Sequence, residues 1–214
     1  MSWDLTTEEG AVRVVVLTVD QRGSTTDTDR VPATVATLAG LDDATLLRGF
    51  ERTAGDEFQG VIDDPGTLTT VVERLLREDA WNIGIGIGDV DEPLPASTRA
   101  GRGPAYLHAR DAVTAAKSSL WHLRVEGDHD DVRSLETVLL LWAALLARRT
   151  KGGWEVADLV DTGLRYDDVA KRLDISQSAV SQRAQAAGIV EGLRARELVT
   201  DLAAGLLAVE DGDR

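Results

Sequence analysis

The chain has 214 residues, of which 43 % are hydrophobic and 28 % charged, a composition typical of one large or two small packed domains and not of a disordered chain. Its 23 Lys and Arg against 37 Asp and Glu give a formal net charge of -14, which argues against a surface coated in basic residues but allows a local basic site. The sequence has no cysteine, which excludes disulfides and thiolate chemistry. It also has no apolar run of membrane-spanning length and no N-terminal pattern of a signal peptide, so we expect a soluble, cytoplasmic protein.

Up to about Gly127, short β-branched runs alternate with helical patterns. Strands are predicted at 12–20, 46–52, 57–62, 81–90 and 121–125, and helices from Val31, from Pro65 and over 105–117. The order β-α-β-β-α-β, followed by α-β, predicts a ferredoxin-like core with an addition. The run 14–17 is apolar on both faces, which is typical of a central strand. Three glycines share one face of the strand 81–90, where they let a helix or a ligand come close.

After Asp131 the whole chain has helical patterning. Gly127 to Asp131 is the candidate linker, so we predict one domain at 1–127 and a second at 132–214. The helix 132–149 is apolar nearly all round at its centre, which indicates burial in a core or in a subunit interface. Lys151 and the two glycines after it are expected to end that helix. Further helices are predicted at 154–162, 166–173, 176–187 and 191–209, so the fold class is α+β with an all-α C-terminal domain.

The segment 166–183 has the most specific pattern in the chain. Val169 supplies the inner face of its first helix, and the small Ala170 lets a second helix cross closely. Ile175 fills the turn, Ser176 can cap the second helix, and Val180 packs back into the crossing. Polar side chains are then left facing outward, and we assign them to a candidate DNA-binding set: Ser176, Gln177, Ser178, Ser181, Gln182, Arg183 and Gln185.

These residues resemble the helix-turn-helix of many bacterial DNA-binding proteins. The resemblance implies that the second helix enters the major groove of double-stranded DNA, where Ser, Gln and Arg contact base edges and phosphates. The sequence departs from the pattern at Asp174, where glycine is frequent, and at Arg183 and Ala184, where a larger apolar residue is common. The stretch 165–196 holds six Lys and Arg and four Asp and Glu, a mildly basic corner of an acidic chain. The alternative is a helical hairpin used for protein contacts.

Four blocks in the N-terminal region, at 19–24, 52–60, 81–89 and 103–110, occur in order and resemble the SatD family of bacterial proteins. They are also similar to a distant version of the class III nucleotide cyclases and GGDEF domains. In those folds one acidic group at the end of the first strand and another at a hairpin tip hold metal ions. The equivalents here are Asp20 and Asp56, which suit Mg2+.

The same resemblance implies a nucleotide-binding set: Gln21, Gly23, Ser24, Thr25, Arg52, Gly55 and Arg110. Backbone N–H groups of the loop after Asp20 suit a phosphate. Tyr106 stands where the cyclases use an asparagine to hold the transition state, and Ala54 replaces the first glycine of the GGDEF motif. We therefore assign no catalytic residue and expect binding rather than turnover. The alternative for each acidic residue is an ordinary solvated turn or loop cap.

Together these patterns predict a transcriptional regulator that binds DNA as a homodimer, formed through the helices 132–149 and 191–209. Its N-terminal domain is expected to sense a nucleotide or related ligand with Mg2+. One alternative is a divergent metal-dependent nucleotide cyclase, or another phosphoryl-transfer enzyme, regulated by its helical domain. A further alternative is a SatD-like protein without a ligand, whose N-terminal domain serves only as a dimerisation scaffold.

Overall fold

A computed structural model of the protein describes residues 12–41 and 45–208. In these ranges, five strands and eight α-helices form a mixed α and β architecture around a single sheet. The strands are β1 (Arg13–Gln21), β2 (Leu46–Ala54), β3 (Glu57–Ile62), β4 (Trp81–Asp89) and β5 (Leu123–Glu126). The helices are α1 (Val31–Ala39), α2 (Pro65–Glu78), α3 (Pro104–Ala116), α4 (Val132–Leu146), α5 (Lys151–Asp161), α6 (Tyr166–Leu173), α7 (Gln177–Ala186) and α8 (Ile189–Leu207). The predicted end of the last helix at 209 falls outside the described residues.

The sheet has the strand order β2-β3-β1-β4-β5. β1 runs antiparallel to both of its neighbours, and the edge strand β5 runs parallel to β4. Val14 to Leu17 are fully buried, which confirms the prediction of a central strand. The hairpin of β2 and β3 closes at Gly55, which has a φ of 56°, a left-handed conformation that glycine adopts without strain. The end of β1 therefore lies beside this hairpin tip, where Asp20 faces Glu57 across the ladder.

α4 and α8 bury their apolar sides against one face of the sheet, together with α1 and α2. Leu139 and Trp142 of α4 and Val199 and Leu206 of α8 belong to the same cluster as Ile85 of β4. Of the two alternatives for the long apolar helix, the structure thus shows burial in the core of the chain itself. In the part of the chain that the structure describes, no helix is long and apolar enough to cross a membrane.

α3 packs on the opposite face of the sheet, directly over the glycines of β4. A Cβ atom on Gly84 would lie 2.2 Å from the backbone nitrogen of Val113, and one on Gly86 would lie 2.2 Å from the carbonyl oxygen of Ala105. The glycine face of the strand therefore accommodates a helix, one of the two alternatives expected for it. This contact aligns α3 with β1, so the C-terminal end of α3 reaches the end of β1.

α5, α6 and α7 form a second, smaller hydrophobic cluster. The expectation that Lys151 and the following glycines end α4 is wrong, because they form the first turn of α5. Thr150 caps this helix by accepting a hydrogen bond from the Gly153 N–H at 3.2 Å. A Cβ atom on Gly153 would lie only 3.0 Å from that of Ala187, so the glycine serves the close approach of α5 to the end of α7.

Candidate DNA-binding surface and strand-end site

The turn between α6 and α7 has a geometry that brings two helices close together. Asp174 ends α6 in the left-handed region, with φ 52° and ψ 48°. The next N–H, that of Ile175, donates back to the Ala170 carbonyl at 3.1 Å. Ser176 then caps α7, because its Oγ accepts the Ala179 N–H at 3.2 Å, as the sequence predicts. An aspartate thus occupies a backbone conformation that favours glycine.

Buried side chains fix the rotation of α7 against its neighbours. Val180 is fully buried and Ala184 is 3 % exposed, and both pack with Val169 of α6 and Val156 of α5. Ala184, which stands where the helix-turn-helix pattern commonly has a larger apolar residue, therefore lies in the core. This arrangement leaves the other side of α7 in solvent.

The exposed side of α7 carries most of the candidate DNA-binding set. Six of its seven members are exposed: Ser176, Gln177, Ser178, Ser181, Gln182 and Gln185. Arg183 is half-buried and is directed towards α5, where its guanidinium lies 3.7 Å from Glu155 and against Gly152. The polar side chains are thus together on one surface, while Arg183 lies beside it.

The strand-end site is centred on Asp20, which is 8 % exposed at the end of β1. One carboxylate oxygen lies 3.0 Å from the Lys117 ammonium at the end of α3, and the other accepts the Asn82 amide at 2.9 Å. Asn82 in turn meets His122 Nδ1 at 3.0 Å. Burial first, and the Arg22 cation second, lower the pKa of His122. Asp20 is thus a buried carboxylate with a counter-charge from Lys117 and a hydrogen bond from Asn82, and it is not a solvated loop cap.

Asp56 lies at the hairpin tip and contacts the loop that follows β1. Its carboxylate accepts the Ser24 hydroxyl, and its carbonyl accepts the Gln21 N–H at 3.0 Å. The side chain of Gln21 closes the same loop, donating to Thr28 O and accepting from Arg30 N, both at 2.8 Å. Gly23 makes the turn with a φ of 67°. The structure therefore brings Gln21, Ser24 and Asp56 together.

The other residues of the predicted nucleotide set are less closely grouped. Arg52 forms an ion pair with Asp29, while Thr25 and Gly55 are exposed. Arg110 is exposed on α3, the helix that also supplies Lys117, and it has no ion pair among the residues the structure describes. Arg110 and Lys117 are thus two cations on the helix next to Asp20.

Asp20 and Asp56 provide the carboxylate chemistry that Mg2+ requires, since this ion often takes one or two protein carboxylates and completes its shell with phosphate oxygens and water. Their immediate partners differ, however: Lys117 and Asn82 for Asp20, and Ser24 for Asp56. Over the described ranges, no group of three or more His, Cys, Asp or Glu is placed to share an ion. Each carboxylate already has a partner, so an ion shared by the two would also need ligands from outside the protein, such as phosphate oxygens and water.

Tyr106 lies away from this site, in a small cluster between α3 and the sheet. It is 9 % exposed, and its buried hydroxyl has no hydrogen-bond partner among residues 12–41 and 45–208. A Cβ atom on Gly101 would lie 2.0 Å from that hydroxyl oxygen, so the loop before α3 covers it. Burial accordingly raises the pKa of Tyr106.

An ion-pair network that the sequence analysis missed links α2 to α8 and to the end of α7. Glu73 of α2 lies 3.5 Å from Arg149, whose side chain is 5 % exposed, and also binds Arg196 of α8. Arg149 donates to Ala187 O at 3.0 Å and stacks on the Trp154 ring, at 4.7 Å from its centroid. Partners so distant in the chain leave no local sequence pattern. The only available signal was an arginine that follows an apolar helix directly.

Comparisons of this chain with protein-family models, with curated proteins and with solved structures found no match.

Proposed function

We propose that this protein is a sequence-specific DNA-binding transcriptional regulator and that α7 is its recognition helix. The observation that carries the proposal is the surface of α7, a stripe of exposed Ser and Gln side chains on a helix whose other side is fixed by Val180 and Ala184. Amide and hydroxyl groups at such positions can hydrogen-bond to base edges in the major groove. The tight turn at Asp174 and the cap at Ser176 support a helix-turn-helix.

The same surface favours DNA over the alternative of a protein-contact hairpin. Protein interfaces have apolar and aromatic centres. The exposed positions of α7 carry serine and glutamine, and the only apolar exposed residue on it is Ala186. A polar stripe of this kind suits a wet, hydrogen-bonding partner.

We place the dimer contact of the regulator on α8. Helix-turn-helix proteins commonly bind two half-sites about one DNA turn apart as symmetric dimers. Val190, Leu193 and Leu198 are apolar side chains of α8 that are 63 %, 37 % and 46 % exposed. α4, the other helix predicted to dimerise, buries its apolar side against the sheet, although Leu141 is exposed.

For the N-terminal region we propose a ferredoxin-like, SatD-like sensor of a nucleotide or related phosphate-bearing ligand. The strand order β2-β3-β1-β4 and the βαββαβ element order support this fold. Asp20 and Asp56 would hold Mg2+, which would supply positive charge to the phosphate oxygens. Lys117, which contacts Asp20, would take part of the remaining phosphate charge, and Arg110 is a second exposed cation of the same α3 segment.

The catalytic alternative, a divergent nucleotide cyclase, has less support. The cyclase asparagine acts on bound substrate, but Tyr106 at the matching position is buried beneath Gly101. Phosphoryl transfer depends mainly on positioned charge, so the loss of one positioning group is costly. Turnover of nucleoside triphosphates by the purified protein would reverse this preference.

Selection of bound DNA from a random pool, with and without Mg2+ and a panel of nucleotides, tests the proposal. We expect enrichment of an inverted repeat whose half-site spacing reports the dimer geometry. A nucleotide that shifts the affinity would identify the sensed ligand. A protein that enriches no sequence under any of these conditions is not the proposed regulator.

A further inference from the structure

Cations around the helix-turn-helix differ in whether a carboxylate neutralises them. Lys171 and Arg194 pair with carboxylates at 2.9 and 2.7 Å, and Arg165 lies 3.7 Å from one. Arg148 and Lys151, where α4 passes into α5, are exposed and have no ion pair within 12–41 and 45–208. An anionic partner can therefore reach Arg148 and Lys151 without displacing an acidic side chain.

Arg148 lines a groove of about 280 Å3 between this junction and α7. Thr150, Gln182 and Arg183 supply the other polar groups of the groove, and Ala179 and Ala186 are among its apolar ones. Glu155 is the carboxylate that faces the groove's Arg183, at 3.7 Å, a separation longer than a hydrogen bond. Glu155 thus partly offsets the charge of Arg183, as Asp167 does for Arg165, but it forms no hydrogen bond with the Arg183 N–H groups.

The donors of this groove match a phosphate group. Two guanidinium groups, an amide and a hydroxyl surround one small space, and guanidinium pairs with phosphate through strong, charge-assisted hydrogen bonds. Gln182 belongs both to the groove and to the exposed stripe of α7. The groove is therefore continuous with the surface that faces DNA, and duplex phosphates flank the major groove on both sides.

We infer that the groove holds a backbone phosphate of the bound DNA and that Arg148 is its principal contact. The inference rests on the proposed function and adds a contact outside the helix-turn-helix motif. Contacts of this kind position a recognition helix without reading sequence. Since Arg148 follows α4, whose apolar side is packed against the sheet, this phosphate would fix α7 relative to the sheet as well as to the DNA.

The test is the salt dependence of DNA affinity for the wild type and for Arg148→Ala, measured on the enriched sequence and on a scrambled one. Removal of one phosphate contact lowers the slope of log affinity against log salt by about 0.9. The ratio of wild-type to variant affinity should then shrink about threefold between 50 and 200 mM salt. Both DNA sequences should be affected alike, and Arg148→Lys should keep most of the slope.

Arg133→Ala is the matched control, since Arg133 is also exposed and without an ion pair in the described part of the chain, at the opposite end of α4. Its slope should equal that of the wild type. An Arg148→Ala slope equal to the wild type, or a loss confined to the enriched sequence, would overturn the inference. Failure of the wild type itself to prefer any sequence would instead reject the proposed function, so the two failures are distinguishable.

Discussion

Glu73 of α2 forms ion pairs with Arg149 and Arg196, which are distant from it in sequence. Its replacement by glutamine should lower the free energy of unfolding by an amount that measures this contribution. The side chain is 13 % exposed and lies against Arg149 and Arg196. Glu73→Gln keeps the shape but removes the charge that offsets Arg149, which is 5 % exposed. Burial already lowers the pKa of Arg149, and the Glu73 carboxylate is the largest opposing influence.

Removing one partner of a buried ion pair costs about 3–5 kcal/mol, because the remaining charge is left uncompensated. Arg149 keeps its bond to Ala187 O and gains some compensation from Asp161, so we expect the low end, about 3 kcal/mol. For a chain of this size that corresponds to a fall in Tm of about 6–12 °C. Urea unfolding followed by circular dichroism measures the free energy directly.

Glu197→Gln is the control, because Glu197 pairs with Arg194 on an exposed surface, where side chains are 61 % and 77 % exposed. Such a pair contributes about 0–1 kcal/mol, so this variant should unfold almost as the wild type does. If Glu73→Gln lost no more stability than Glu197→Gln, the reasoning about the buried network would be wrong.

Three further changes test separate parts of the structure. Gly86→Ala should lower the free energy of unfolding in urea by about 3 kcal/mol, since its Cβ would lie 2.2 Å from Ala105 O. Gly49→Ala is the control and should cost little, because no described atom lies within 4 Å of a Cβ at that position. Equal losses in the two variants would contradict the packing of α3. Asp174→Gly should raise the free energy of unfolding by about 0.5 kcal/mol, because glycine adopts the left-handed conformation of residue 174 without strain. A lower free energy of unfolding in this variant would argue against the left-handed turn. The pKa of His122 in the folded protein lies below the 6.5 of the unfolded chain, so its contribution to the free energy of unfolding is full above pH 6.5 and declines as the pH falls below that value. His122→Asn, a residue that tolerates a φ of 50°, should therefore make the free energy of unfolding depend less on pH between 7 and 5.5. A pH dependence equal to that of the wild type would exclude this contribution of His122.

Local patterns in the sequence predicted the elements well. The hairpin of β2 and β3, the bounds of α6 and the cap at Ser176 depend on neighbouring residues, so periodicity and turn chemistry were sufficient. The start of α5 was missed because glycine after lysine also ends helices; the local signal that could have found it is Thr150, which caps the helix.

Contacts between residues that are distant in sequence could not be predicted from such local patterns. The apolar centre of α4 suited a core or a subunit interface, and most strands of the sheet that covers it lie far away in the chain. The orientation of Arg183 depends on Glu155 in another helix, and the partner of Asp20 is Lys117, 97 residues later. The exact composition of the strand-end site therefore emerged only from the packing of α3.

The most direct test of base recognition by α7 is a second DNA selection with Gln177→Ala, compared position by position with the wild type. Gln177 is exposed in the first turn of α7, where recognition helices contact base edges, and its amide is suited to adenine. We predict an unchanged inverted repeat in which preference is lost at one base pair of each half-site, a cost of about 1–3 kcal/mol there. Enrichment of the same sequence at every position, with undiminished preference, would contradict the placement of α7 in the major groove.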